Sequence, residues 1–255
     1  SVGVDNNYKA VGVARRNGLN ARELDLFDED AVSKLLALQP NPDLIWASPS
    51  CRGYSQASNA SIEHKAVQNG LTTRAAQIIQ EIAPPLFIIE NVLHARRNPT
   101  FAQAIAVLNR WYHTASVCLD ACKMNVGVPQ SRKRLFVIGV RTAGTDLEAC
   151  RHMQAFISRC EDMMRDDTFT SIGDAIPEMR GRTLFQFPRR RENQCVFGAH
   201  RPAPTIRSMC LSRPTASLIE PNEMNHGLIS DAVVPDKKLI LKLCGFPAWF
   251  EPHDE

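Results

Sequence analysis

Cys51 is the candidate nucleophile of this 255-residue sequence, set in the tight run Ser48-Pro49-Ser50-Cys51-Arg52-Gly53-Tyr54-Ser55 directly after the apolar segment Leu44-Ile45-Trp46-Ala47. In open α/β sheets ligands sit outside the carboxyl ends of the strands, so a thiol in a loop that follows a strand is placed to meet one. A lone cysteine is more often a small core residue, and its company decides the case. About forty residues on, Leu86-Phe87-Ile88-Ile89 reads as a buried strand running into Glu90-Asn91-Val92, which leaves a carboxylate at a second strand end. Further along, Val126-Gly127-Val128-Pro129-Gln130-Ser131-Arg132-Lys133-Arg134 leads into the apolar run Leu135–Val140. Arg132 and Arg134 are two residues apart, and a continuous pleat puts them on one face. A thiol, a carboxyl and two guanidiniums together can run covalent catalysis in which charge develops on the substrate.

In this order the three segments resemble those of the DNA cytosine-5 methyltransferase family, whose signature is a Pro-Cys loop, a Glu-Asn-Val strand end and a Gln-x-Arg-x-Arg segment. Other stretches extend the resemblance over most of the chain. Val4-Asp5-Asn6-Asn7 looks like the acidic strand end for the cofactor ribose, and Leu24-Asp25-Leu26 like the adenine-contacting turn. Arg201-Pro202-Ala203-Pro204-Thr205-Ile206-Arg207 looks like the segment after the DNA-recognition region, and Leu243-Cys244-Gly245-Phe246-Pro247 like the late Leu-x-Gly-Phe-Pro element. The resemblance implies S-adenosylmethionine as cofactor and double-stranded DNA as partner. It implies that Cys51 adds to C6 of a flipped cytosine, that Glu90 acts at N3, that Arg134 contacts O2 and that Arg132 helps hold the active-site loop. Asn91 and Gln130 brace these groups. Asp5 and Asn6, with Asp25, Leu26 and Pro49, are the implied cofactor residues; Arg52, Ser55, Arg189, Arg190, Arg191 and Arg207 are the implied DNA contacts, and no metal is implied.

The chemistry explains the residue types. C5 of cytosine is a poor nucleophile until a thiolate adds at C6, and cysteine is well suited to reversible attack on a soft ring carbon. The base is inaccessible in a stacked duplex and must be turned out, at a cost of a few kcal/mol. Residues 52–70, polar and including Gly53, Ser55, Ser58, Ser61 and Gly70, are expected to form a mobile loop that closes over it. The chain departs from the family in three places. Ser50 stands where proline usually precedes the cysteine, the glycine-rich first cofactor turn has no counterpart before Val4, and the closing Gly-Asn-Ser/Ala-Val segment has none before Glu255. The expectation is therefore a piece of a longer reading frame, or else one subunit of a split enzyme.

The elements that must position these groups are legible as α/β. Residues 1 to about 141 alternate short apolar runs with helical patterns, which predicts βα units, a parallel sheet and a Rossmann-like S-adenosylmethionine-dependent architecture with a small irregular recognition lobe. Leu71, Ala75, Ile78, Ile79 and Ile82 repeat at helical spacing, with Thr72 or Thr73 as a cap near the start and Pro84-Pro85 as the stop. Asn98-Pro99 predicts an N-cap and first helical residue before a stripe of Phe101, Ile105, Leu108 and Tyr112. Residues 144–165 read as a peripheral helix. The predicted division is a catalytic, cofactor-binding region over 1–165, a target-recognition region over 166–213 and a return segment over 214–255.

Composition bounds the rest. With 44% hydrophobic and 22% charged residues the chain is an ordinary globular sequence. No apolar run approaches the roughly 20 residues of a membrane helix and no secretory pattern opens the chain, so the expectation is a cytoplasmic protein without membrane partners, in a bacterial nucleoid or a phage-infected cell. Eight cysteines without a Cys-x-x-Cys pair argue for reduced thiols and against structural zinc. The net charge of +3 is uneven: residues 180–213 hold eight arginines and one acid, Glu192, a net of +7 against −4 for the remainder. Such a basic stretch suits phosphate contacts, with Arg189-Arg190-Arg191 as a clamp. Two alternatives stay open beside the DNA enzyme: a non-catalytic DNA-binding or regulatory relative, and a tRNA cytosine-5 methyltransferase, whose Cys-Phe-Thr signature is absent here.

Overall fold

Short apolar strands alternate with helices through the first half of the chain, and their hydrophobic spacing fixes which face each element buries. The structure is a computed structural model that describes residues 1–51, 62–124, 126–142, 147–186, 195–206, 232–233 and 235–252. Two units emerge: Ser1–Cys118 with Arg134–Glu161 and Glu251–Glu255, and Leu119–Lys133 with Asp162–Phe250.

In the first unit, β1 (Gly3–Asp5) pairs in parallel with β2 (Ala21–Glu23) through the crossover helix α1 (Tyr8–Arg16). Asn7 caps α1, its side chain accepting from the Lys9 and Ala10 amides. After α2 (Ala31–Leu38) come β3 (Leu44–Ala47), α3 (Ile62–Ile82), β4 (Leu86–Val92), a 3-10 turn over Leu93–Arg97, α4 (Pro99–Leu108) and β5 (Tyr112–Asp120). Then follow β6 (Gln130–Ser131), β7 (Lys133–Arg141) and α5 (Leu147–Arg165). The main sheet has the order β3-β4-β7-β5, with β3 parallel and β7 antiparallel to β4. The protein is thus α/β, but the sheet is mixed where an all-parallel one was expected. The reason is that β7 is entered from the segment after β5 and runs back between β4 and β5, a long-range insertion that local periodicity does not encode.

One face of this sheet is closed by α3 and α4. Ala76 and Ile79 of α3 and Phe101, Ala104 and Leu108 of α4 bury against Phe87, Ile89, Leu135 and Val137. Asn98 caps α4 by accepting from Thr100 N–H at 2.9 Å, with Pro99 in the first turn, as its sequence predicts. Tyr112 belongs to β5 and not to the α4 stripe: its ring packs edge-on against Phe87 at 4.9 Å and its hydroxyl donates to the Pro84 carbonyl at 2.9 Å. Helix α3 begins ten residues before its expected cap, so Thr72 is an interior, fully buried residue. The same early start makes residues 62–70 helical where a loop was expected. Gly70 costs a helix only about 1 kcal/mol relative to alanine, which 21 residues of helix can carry.

The second unit contains α6 (Ile172–Ala175), the antiparallel pair β8 (Thr183–Gln186) and β9 (Cys195–Gly198), β10 (Ala203–Pro204), which pairs in parallel with β6, β11 (Ala232–Val233), which pairs in parallel with β8, and α7 (Lys237–Leu243). Its core gathers Ile172, Ile176, Met179, Leu184, Ala199, Ala203 and Leu243. The late Cys244-Gly245-Phe246 element is the stop of α7. Gly245 takes φ 78°, its N–H donates to the Lys242 carbonyl, and Phe246 N–H donates to the Leu241 carbonyl.

Candidate active site

Pleat alternation in β4 divides its two polar residues between faces. Phe87, Ile89 and Asn91 turn to the buried core face, while Ile88 and Glu90 turn to the other. Glu90 lies opposite Phe136, and Val92 opposite Arg134, so Glu90 and Arg134 are diagonal neighbours across the antiparallel pair. Arg134 Nε meets Glu90 Oε1 at 2.9 Å, with both side chains largely shielded from solvent. This partial burial makes the pair stronger than a surface ion pair and fixes the orientation of the carboxylate.

Asn91 works on the opposite face. Its amide donates to the Pro49 carbonyl at 3.1 Å, and its own oxygen accepts from Val92 N–H at 2.8 Å. A buried Asn91, bonded through both its amide nitrogen and its oxygen, therefore ties the end of β4 to the Ser-Pro-Ser-Cys turn at the end of β3, two residues before the half-buried Cys51. Parallel pairing of β3 with β4 brings the Cys51 turn and Glu90 out at the same edge of the sheet. Trp46 adds to this edge: it stands in register with Ile88, its indole N–H donates to Ser48 Oγ at 3.0 Å, and its ring meets Phe136 edge-on at 6.1 Å.

A second set of groups lies at the carboxyl ends of β1 and β2. Asp5 ends β1, and its Oδ1 accepts from Asn7 N–H at 2.7 Å; Asn6 beside it is exposed. Leu24 N–H donates to the Asp5 carbonyl at 3.1 Å, and the next residue, Asp25, accepts from Phe27 N–H at 2.9 Å. Both carboxylates are exposed and each is fixed by a local turn, so two acceptors stand at neighbouring strand ends. Arg74 of α3, which sequence reasoning missed, completes this set. Its Nε donates to the Leu26 carbonyl at 2.6 Å and its Nη2 to the Asp28 carbonyl at 3.4 Å.

Arg132 and Gln130 belong to the second unit. The strand is broken at Arg132: its N–H donates to Asp120 Oδ1 at 2.7 Å, and its side chain is exposed. The expected pleat sharing of Arg132 and Arg134 therefore does not hold, because Arg132 lies between β6 and β7 and outside both. Asp120, also missed, is the buried group that shapes this break, its other oxygen accepting from Ser131 Oγ at 2.9 Å. Cys122 lies beside it, and burial, followed by the Asp120 charge, pushes its thiol up to about 11. Gln130 is buried, donating to the Leu243 carbonyl and Cys244 Sγ, each at 3.4 Å, and accepting from Ile206 N–H. It braces the second unit's core. Arg52, Ser55, Arg189, Arg190, Arg191 and Arg207 lie outside the described residues. Among the described residues no cluster of His, Cys, Asp or Glu could hold a metal ion, and no helix is long and apolar enough to cross a membrane.

The sequence pattern of the family described as C-5 cytosine-specific DNA methylase matches residues 4–180. The chain is 31% identical over 222 residues to the Type II methyltransferase M.HgiDI of Herpetosiphon aurantiacus, covering 86% of this chain and 68% of that protein. It is 26% identical over 243 residues to the Type II methyltransferase M1.BsuMI of Bacillus subtilis (strain 168), covering 83% of this chain but only 54% of that one. Among solved structures, the Entamoeba histolytica methyltransferase EhMeth aligns over 55% of this chain and 44% of its own, with 19% identity and a TM-score of 0.43.

Proposed function

Since the chain belongs to the C-5 cytosine-specific DNA methylase family, we propose that it methylates C5 of a cytosine turned out of double-stranded DNA, with Cys51 bonded transiently to C6. The observation that carries this reading is the Glu90–Arg134 pair at 2.9 Å, at the sheet edge to which Asn91 also ties the Cys51 turn. The Cys51 thiolate adds to C6, and negative charge grows on the ring as the carbon–sulfur bond forms. Glu90 meets that charge at N3 by donating a proton or a strong hydrogen bond, while Arg134 holds the carboxyl in place and reaches toward O2. C5 then takes the methyl group from its sulfonium, the C5 proton passes to water, N3 returns its proton to Glu90, and Cys51 leaves as a thiolate as the C6–S bond breaks.

S-Adenosylmethionine, when bound, supplies an electrophilic methyl on a sulfonium. The acceptors at β1 and β2 fit it: exposed carboxylates are suited to the two ribose hydroxyls at Asp5 and the adenine amino group at Asp25. Asn6 and Leu26 flank these acids, and Pro49 is assigned to the same cofactor site. DNA contacts are assigned to Arg52, Ser55, Arg189, Arg190, Arg191 and Arg207, loop support to Arg132, and the recognition role to residues 166–213. The chain spans 68% and 54% of the two relatives' lengths.

Duplex DNA carrying 5-fluorocytosine tests it, because fluorine at C5 blocks proton loss and traps the C6 adduct. A covalent complex that requires S-adenosylmethionine and disappears in Cys51→Ala is the expected result, with Glu90→Gln lowering the rate of trapping by about 10²–10⁴-fold. Undiminished trapping with Cys51→Ala rejects the nucleophile, and activity confined to tRNA rejects the substrate.

A further inference from the structure

From Asn91 to Leu119 the sequence contains no aspartate, glutamate or lysine, but holds His94, Arg96, Arg97, Arg110 and His113. Topology sorts these basic residues. Arg110 and His113 flank the start of β5, where Tyr112 reaches Pro84, ahead of β4. His94, Arg96 and Arg97 instead follow the carboxyl end of β4, immediately after Glu90-Asn91-Val92, at the edge where the Cys51 turn also emerges.

All three side chains are exposed, and none has a hydrogen-bond or ion-pair partner among the described residues. Their platform is rigid. Ala95, between them, is fully buried in the sheet-and-helix core, and Asn98 N–H donates to the Ala95 carbonyl at 2.9 Å before Asn98 caps α4. A five-residue 3-10 turn has too small a dipole to account for three basic residues at its end. Packing does not account for them either, since the buried contacts of the turn are made by Ala95.

We infer that Arg96 and Arg97, with His94 beside them, form a phosphate-binding patch that receives the DNA backbone at the Glu90 edge of the first unit. This rests on the proposed reading of DNA as substrate and adds to it a second electropositive element, distinct in sequence from the arginines of 180–213. Guanidiniums on a fixed turn suit phosphate oxygens, and contacts of this kind set register without reading sequence.

The test is the salt dependence of duplex DNA binding, measured by fluorescence anisotropy between about 50 and 200 mM salt, where each neutralised phosphate contributes about 0.9 to the slope of log K against log salt. Arg96→Gln with Arg97→Gln is expected to lower that slope by about 2. Arg96→Lys with Arg97→Lys should keep most of it, and Arg151→Gln, which removes an exposed charge from α5, should leave it unchanged. A wild-type slope retained by the double glutamine variant overturns the patch. Absence of any salt-dependent DNA binding by the wild-type chain overturns the patch together with the DNA reading. DNA binding with the expected slopes but no 5-fluorocytosine adduct would sink the catalytic reading and leave the patch standing.

Discussion

Arg74 is a brace, since its guanidinium is spent on two backbone carbonyls of the turn that carries Asp25 and Leu26. A hydrogen bond from a charged donor is worth about 1.5–3 kcal/mol, and this half-buried one sits toward the lower figure. Arg74→Ala is expected to weaken S-adenosylmethionine binding by about tenfold, close to 1.4 kcal/mol, with DNA affinity unchanged. Titration calorimetry with the cofactor alone measures it, and equal losses for cofactor and DNA would mean general misfolding. That Cys51 follows one strand and that Glu90 and Asn91 lie near the end of another was legible in the sequence, because the close of an apolar run is a local signal. Arg74 and Asp120 were not, because a side chain bonded to a distant backbone group leaves no spacing to read. Arg132 shows the converse error: a two-residue interval predicts a shared face only where the strand is unbroken, and Asp120 breaks it.

Among the elements, the β4–β7 pair sets the geometry of Glu90 and Arg134, and its register is locked at Gly139. A methyl group there would lie 2.1 Å from Phe87 Cε1, inside a fully buried ring that is itself held by Tyr112. Gly139→Ala should therefore cost about 1–3 kcal/mol by overpacking, read as a lower denaturant midpoint with an unchanged slope. An unaltered midpoint would show that Phe87 can move. Although Tyr112, read into the α4 stripe, belongs to β5, the start of helix α4 was readable to the residue, since Asn98-Pro99 states it chemically. The start of α3 was not, because its first turns lack the apolar period that marks its later half. The antiparallel entry of β7 was likewise hidden: strand direction is decided by pairing across some forty-five residues, and the apolar run of β7 reads the same either way.

At the scale of the whole molecule, charge is the property with the widest reach, since residues 180–213 carry +7 and the rest −4. Replacing Arg189, Arg190 and Arg191 with glutamine should lower the salt slope of DNA binding by about 2 to 3. Combined with the Arg96 and Arg97 changes, the loss should be additive if the two clusters meet different phosphates. A combined loss no greater than either alone would mean that they share the same ones. The α/β plan could be read from composition and alternation, whereas the division into two units, with 119–133 grouped beside 162–250, depends on contacts between residues far apart in sequence. The alternation of β4 also bears on inheritance. Deleting or inserting one codon upstream of Glu90 within the strand would turn Glu90 inward and Asn91 outward, losing the Arg134 pair and the Pro49 tie in one event. Lineages descended from this gene should therefore accumulate length changes in their connecting segments and keep β4 at constant length.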